Sequence, residues 1–152
     1  MKEITCKLAL FALFALMHVR VVHAQVELKS SPVLLLFEVF NFSVEKPLSE
    51  DWGIEGDIWV VFDEGLYGSF NGKYYLNPLR GADGIHVGGF LGASPDLGVG
   101  IGFLGGYKWV SSKNFLFEAG LGIGRAIGYD AEGVIPYGKL HIGLRIAEKN
   151  SK

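Results

Sequence analysis

Glycine and bulky apolar residues alternate along the second half of the chain. Nine glycines share one parity between Gly88 and Gly124, and the other parity holds mainly aliphatic and aromatic residues. A period of two indicates β-strands. In a soluble β-sandwich, one face of each sheet packs apolar side chains against the core and the other exposes polar side chains to water. Here the residues of the second face are too small to cover a core, and few of them are charged. The pattern therefore predicts the cramped interior of a small transmembrane β-barrel.

The first residues have the composition of a secretory signal. Lys2 and Lys7 precede an unbroken apolar run from Leu8 to Met17, and Ala24 is a small residue at which signal peptidase would cut. The apolar run is too short to span a bilayer as a helix. We therefore predict a signal peptide over residues 1–24 and a single mature domain over residues 25–152.

The composition of the mature chain excludes several classes of protein. Cys6, the only cysteine, lies in the signal, so the mature chain has no disulfide, thiolate metal site or cysteine nucleophile. The signal also removes three basic residues and one acidic residue from a chain of formal net charge −2, which argues against a nucleic-acid partner. No stretch after Gln25 has the length and hydrophobicity of a membrane helix, so insertion of the mature chain would require strands.

Seven strand-like segments follow, each near the length of a tilted membrane strand. They cover residues 33–46, 52–62, 69–77, 85–93, 97–110, 114–125 and 135–147. The turns between them are short, which predicts antiparallel pairing of consecutive strands. Because single-chain bacterial barrels have even strand numbers, we predict an all-β, up-and-down barrel of eight strands. The eighth comes either from an extra short strand within residues 26–40 or from a bend near Gly65.

Parity directs charges of both signs toward the interior. An eight-stranded barrel is just filled by its inward side chains, so the inward carboxylates must pair with the inward cations. We expect a lumen ion-pair network that comprises Glu45, Glu55, Asp57, Lys73, Lys108, Glu118, Lys139 and Arg145. The other inward residues are Asn41, Ser43, Trp59, Asn71, Tyr75, His86, Phe90 and His141.

Four outward aromatic residues fall near one rim if the chain runs up and down. They are Trp52, Tyr107, Trp109 and Phe115. Aromatic girdles at the membrane interface are typical of membrane barrels, so we predict such a girdle. The alternative is ordinary core aromatics of a soluble β-domain, which would not place charges on the inner face of almost every strand.

No segment carries a convincing catalytic or cofactor signature. Residues 100–105 match the spaced glycines of dinucleotide-binding turns, but no helix follows, and we interpret them as strand glycines opposite bulky inward groups. His86 and His141, the only mature histidines, both point inward, and no mature serine lies near an outward histidine and an acid. We therefore expect no enzyme, no cofactor, no metal site and no catalytic residue.

The strand motifs resemble those of a widespread family of small bacterial outer-membrane β-barrel proteins of unknown function. They lie at residues 32–45, 72–76, 84–92, 105–110 and 115–125. The resemblance implies residence in the bacterial outer membrane, with outer-membrane lipid and the barrel-assembly machinery as partners. It supplies no active-site residues.

Short turns and a crowded lumen favour an integral outer-membrane barrel with a structural or envelope role. One alternative is a narrow passive channel for small solutes. Another is a soluble, periplasmic, lipocalin-like barrel that binds a small apolar ligand. The charged inner face argues against this last alternative, because such a barrel requires an apolar interior and a polar exterior.

Overall fold

The computed structural model describes residues 25–62, 65–94, 98–127 and 133–146. The predicted signal peptide and the polar chain end lie outside the described residues. One short helix, α1 (Pro32–Leu35), accompanies eight strands. The strands are β1 (Val26–Ser30), β2 (Val39–Pro47), β3 (Trp52–Val61), β4 (Gly65–Leu76), β5 (Gly84–Ser94), β6 (Gly98–Val110), β7 (Phe115–Ile127) and β8 (Val134–Ile146). No helix among the described residues is long and apolar enough to cross a membrane.

The eight strands form a closed antiparallel barrel in sequence order. Each strand pairs with the next one along the chain, and β1 closes the sheet by pairing with β8 from Val26 opposite Ile146 to Ser30 opposite Ile142. The predicted all-β, eight-stranded, up-and-down fold is confirmed. Pairing across short connections and the period-two pattern both follow from the alternation that the sequence carries.

The eighth strand is β1, and the predicted bend near Gly65 is wrong. β4 runs without a break from Gly65 to Leu76. The predicted strand over residues 33–46 is wrong in its first part, because α1 begins at Pro32, whose fixed φ suits the first helical turn. The chain then turns into β2 through Glu38, which has a φ of 59°.

The barrel has two rims that differ in their connections. The terminal rim holds both described chain ends and the connections after β2, β4 and β6, and the distal rim holds those after β1, β3, β5 and β7. β1 leaves the terminal rim and ends halfway up the wall, where the Ser30 hydroxyl donates to the Asn41 carbonyl at 2.7 Å. Beyond that point α1 contacts β2 and β8 in place of a strand.

Polarity is inverted relative to an ordinary soluble domain. Large apolar side chains cover the outside on every full-length strand, and Trp52, Ile85 and Leu121 are 54%, 56% and 77% exposed. The buried residues are mostly polar or charged, and Lys73 and Glu118 are fully buried. Every residue predicted to face inward is buried or partly buried in the structure.

Glycines on the inner face make room for bulky side chains from the paired position on the neighbouring strand. A methyl group on Gly102 would lie 2.5 Å from the Phe90 ring, and one on Gly106 would lie 2.9 Å from the His86 ring. β6 continues as a strand through this region. The interpretation of residues 100–105 as strand glycines opposite bulky groups, rather than as a dinucleotide-binding turn, agrees with this packing.

Candidate functional site

The lumen contains two zones stacked along the barrel axis. The first, next to the terminal rim, is a cluster of charged side chains that we call the charged zone. Its members are Glu27, Lys29, Glu45, Glu55, Lys73, Lys108, Glu118, Lys139 and Arg145. They come from seven of the eight strands, because inward positions of neighbouring antiparallel strands lie side by side.

Three glutamates form the middle of the charged zone. Glu45 lies 2.6 Å from Lys29, 2.8 Å from Lys73 and 2.8 Å from Lys108, measured from carboxylate oxygen to Nζ. Glu118 lies 2.6 Å from Lys29, 2.7 Å from Lys73 and 2.8 Å from Lys139.

Glu55 completes this arrangement. Its carboxylate is 2.9 Å from Lys29 and 2.6 Å from Lys139, and it also pairs with Lys73. Each of the three central carboxylates therefore contacts three ammonium groups.

Glu27 and Arg145 extend the charged zone to the terminal rim. Glu27 lies 2.7 Å from Lys108 and 2.6 Å from the Arg145 guanidinium. Arg145 also donates to the Ala82 carbonyl at 3.2 Å and to the Arg80 carbonyl. The guanidinium therefore fastens the connection between β4 and β5 across the end of the barrel.

Burial makes these pairs interdependent. The side chains of the three central glutamates and of their lysines other than Lys139 have no exposed area, and that of Lys139 is 1% exposed. Removing a charge from water costs several kcal/mol per ion unless partners replace the water. Each carboxylate has several cationic partners, and these take the place of the lost water.

The structure brings seven of the eight residues predicted for the network into ion pairs. Asp57 is the exception: within the described residues no lysine or arginine nitrogen is close enough to form a salt bridge with it. It lies two positions further along β3 than Glu55, beyond the lysines, and bonds to neutral donors instead. The prediction that Asp57 joins the ion-pair network is therefore wrong.

Glu27 and Lys29 belong to the network, but the sequence-based prediction missed them. Both lie on β1, a strand that the sequence analysis offered only as one of two alternatives and without inward residues. The signal was present, because Val26 and Leu28 alternate with these two charges. β1, whose five residues precede Pro32, is shorter than the strands expected for a membrane barrel.

A polar layer around Asp57 separates the charged zone from the second zone. Asn71 donates to the Asp57 carboxylate at 2.5 Å, the Tyr137 hydroxyl donates to the same carboxylate at 3.1 Å, and the Ser69 hydroxyl lies 3.4 Å away. The Trp59 ring meets the Tyr137 ring edge-on, with centroids 6.3 Å apart.

The second zone is an apolar cavity that opens toward the distal rim and has a volume of about 320 Å³. Phe90 stacks on Tyr137 at a centroid distance of 4.8 Å and forms its floor together with Trp59. Inward glycines such as Gly92 and Gly100 form part of its wall. The expectation of a lumen filled by side chains therefore describes the charged zone and not this end, where glycine leaves the space open.

The wall of this distal cavity is incomplete as a sheet. Leu34 of α1 and Val39 of β2 line it on the side where β1 has ended. The outward residues around α1 are apolar, and Leu35, Leu36 and Phe37 are 51%, 81% and 70% exposed. A four-residue helix without side-chain capping hydrogen bonds thus separates the cavity from the outer surface.

Both mature histidines lie within the charged zone. His86 Nε2 is 3.4 Å from Glu118 and His141 Nδ1 is 3.7 Å from Glu55, and the ring nitrogens make no hydrogen bond among the described residues. Glu55, Glu118 and His141 approach one another closely enough to hold a metal ion. Three lysine ammonium groups already contact both of these carboxylates, so a cation would have to displace them.

The four aromatic residues predicted for a girdle lie on the outside near the terminal rim. Trp52 begins β3, Phe115 begins β7, and Tyr107 and Trp109 lie close to the end of β6. All four are between 51% and 58% exposed. Tyr74 joins them, because its ring centroid lies 5.1 Å from that of Trp52.

These features define a small closed β-barrel with a charged interior, an apolar cavity at one end and an apolar outer surface. Comparison with protein-family models, curated proteins and solved structures gives no match to this chain. The functional argument therefore rests on the geometry of the barrel.

Proposed function

We propose that the mature chain is an integral protein of the bacterial outer membrane, with a structural or envelope role and a lumen closed to solutes. The observation that carries this proposal is the inverted polarity. Apolar side chains face outward around the barrel, whereas lysines and glutamates are fully buried inside. Lipid matches such an exterior, whereas monomeric soluble proteins rarely expose apolar patches of this extent.

Three further features support a membrane location. Outward aromatic rings gather near the terminal rim, as at membrane interfaces. The closed sheet leaves few backbone groups unpaired, which a hydrocarbon environment requires. Residues 1–24 have the pattern of an export signal. Outer-membrane lipid and the barrel-assembly machinery are the partners that this location entails.

The charged zone supports a closed lumen rather than a channel. Glu45, Glu55 and Glu118 carry no exposed side-chain area and fill the barrel with their lysine partners. A solute crossing the barrel would have to break several buried ion pairs. No catalytic role is proposed, because both histidines are fully buried within the charged zone.

A soluble, lipocalin-like barrel is the second candidate, and the apolar distal cavity favours it. The apolar exterior and the charged zone argue against it, since a soluble ligand carrier needs the opposite arrangement.

Cell fractionation distinguishes the two candidates. We expect the protein in the outer-membrane fraction, with an electrophoretic mobility in detergent that changes on heating, as folded barrels show. Recovery from the soluble periplasm, without a heat-modifiable band, would contradict the proposal and favour the soluble carrier.

A further inference from the structure

We propose that the distal cavity is a binding site for one unbranched alkyl chain, which enters through the barrel wall between β2 and β8 past Leu34. The binding chemistry is the same for the acyl chain of a bilayer lipid and for a free fatty acid. Only the first source rests on the proposed membrane location, and the experiment below separates the two.

The lining selects an uncharged, apolar ligand. None of the described residues that line the cavity carries a charge, and this lining is made mainly of apolar side chains and glycines. The Tyr137 hydroxyl points to the Asp57 carboxylate, with which it shares a hydrogen bond. A charged group placed here would lose its water without gaining a partner, whereas methylene groups gain from burial.

The size of the cavity fits a chain segment rather than a single small ring. Its volume of about 320 Å³ is roughly twice that of the engineered apolar cavity of ~150 Å³ that binds benzene. Gly92 contributes no side chain to the lining, and a methyl group there would have its nearest neighbour 3.6 Å away. An apolar segment of several methylene groups fills this space.

The entrance lies where the sheet lacks a strand. β1 stops at Ser30, opposite Ile142, while β8 continues to Val134. α1 covers this stretch, with Leu34 on the cavity side and the exposed Leu36 nearby on the outside. α1 has no fully buried residue, so its local displacement exposes little new apolar surface and costs less than opening a paired strand.

The described residues on either side of the entrance are mainly apolar. Apolar residues of α1 and the apolar outer faces of β2 and β8 lie on one side of the entrance, and Leu34 and Val39 lie on the other. The polar layer around Asp57 and the charged zone below it close the far end. The geometry therefore describes a site that is closed at the charged end, suited to binding rather than to transport across the barrel.

Tryptophan fluorescence offers a direct test. Trp59 lines the cavity, whereas Trp52 and Trp109 lie on the outer surface. The double variant Trp52→Phe/Trp109→Phe leaves Trp59 as the only tryptophan. Titration of this folded protein in detergent with 12-bromododecanoic acid should give a saturable loss of Trp59 fluorescence, because bromine quenches the ring at contact.

Two glycine variants provide matched controls. A methyl group on Gly92 would lie 3.6 Å from the nearest atom, so Gly92→Leu fits the backbone and fills the cavity. Gly56 faces outward with open space around it, so Gly56→Leu adds the same side chain outside. We expect Gly92→Leu to abolish the saturable quenching and Gly56→Leu to preserve it. Heat-modifiable mobility identifies the variants that fold.

Leu34→Ala supplies a second readout, the rate of quenching, at the proposed entrance. The smaller side chain widens the entrance, and we expect faster quenching in stopped-flow mixing. Unsaturable quenching that is equal in the Gly92→Leu and Gly56→Leu proteins would overturn the site, as would quenching by 4-bromotoluene without any by the brominated fatty acid. An unchanged rate in Leu34→Ala would overturn the lateral entrance.

A second arm identifies the source of the chain. Trp59 quenching in vesicles of brominated phosphatidylcholine would assign the site to a bilayer lipid, and quenching by the free acid alone would assign it to a diffusing amphiphile. The detergent arm does not depend on where the protein resides, and fractionation does not depend on the cavity. Failure of this inference and failure of the proposed function are therefore distinguishable.

Discussion

The two ends of one lumen are built from the same strands but have opposite chemistry. Near the terminal rim, β3 and β8 direct Glu55 and Lys139 into an ion-paired cluster without exposed glutamate area. Near the distal rim, the same two strands direct Trp59 and Ile135 toward an open cavity. The alternation of side chains is identical at both ends. The size and charge of the inward residues therefore decide whether a small barrel is closed or hollow.

The walls that enclose the two ends of the lumen also differ. The charged zone lies where all eight strands are present, whereas the described lining of the distal cavity comes from six strands and α1. A complete ring of paired strands surrounds the residues whose ion pairs demand fixed positions. The incomplete ring surrounds residues that make only non-directional apolar contacts. We infer that rigidity belongs to the terminal end and adaptability to the distal end.

The largest expected effect comes from breaking the charged zone. Glu118→Leu removes one carboxylate from three lysines, so we expect the free energy of unfolding to fall by about 3–5 kcal/mol. Denaturant unfolding of the protein refolded into detergent or lipid measures it. The control is Phe117→Leu, on the outer face of the same strand.

A loss within about 0.5 kcal/mol for Glu118→Leu, as at plain surface positions, would mean that this side chain lies in water. The contrast between the two ends of the lumen would then be lost.

Tight and open parts of the inner wall should respond differently to one methyl group. On Gly102 this group would lie 2.4 Å from the Ile123 carbonyl oxygen, whereas on Gly92 its nearest neighbour is 3.6 Å away. We expect Gly102→Ala to destabilise the barrel by about 1–3 kcal/mol through overpacking. We expect Gly92→Ala to change stability by less than about 0.5 kcal/mol.

Equal effects of these two substitutions on denaturant unfolding would show that the distal wall is packed as tightly as the wall at Gly102, where the Phe90 ring lies. That result would remove the basis for a cavity at this end.

The smallest effect is expected at the polar layer between the zones. Tyr137→Phe removes the hydroxyl that donates to Asp57 but keeps the ring that stacks on Phe90. Because Asn71 still donates to Asp57, we expect a loss of about 1 kcal/mol. Unfolding measurements on this variant and on Phe90→Leu separate the hydrogen bond from the ring contact. A loss as large as that of Glu118→Leu would place Asp57 within the charged network after all.

Parity made much of this molecule predictable. Alternation of small and bulky residues specified the closed sheet, and it placed Glu45, Lys73 and Glu118 together inside. Ion pairs between distant strands could be expected, because inward side chains fill so narrow a barrel and inward charges must therefore contact one another.

The features that the sequence-based prediction missed depend on position along the axis rather than on parity. β1 was anticipated only as one of two alternatives, because five residues before a proline do not resemble a membrane strand. Asp57 has the correct parity but lies one layer above the lysines. The distal cavity arises because several strands carry small inward residues at the same level along the barrel axis. The sequence of a single strand does not reveal this coincidence. Gly92 looks like Gly106 in sequence, yet only Gly106 has a bulky ring, that of His86, packed against it.

The central claim is that the charged zone closes a membrane-inserted barrel. Planar-bilayer conductance of the purified wild-type protein tests it most directly, with a heat-modifiable band from the same lipid preparation as proof of folding and insertion. We expect no current steps, because buried ion pairs fill the lumen at the level of Glu55 and Glu118. Stable, reproducible single-channel steps from the folded protein would contradict the claim and identify a narrow solute channel instead.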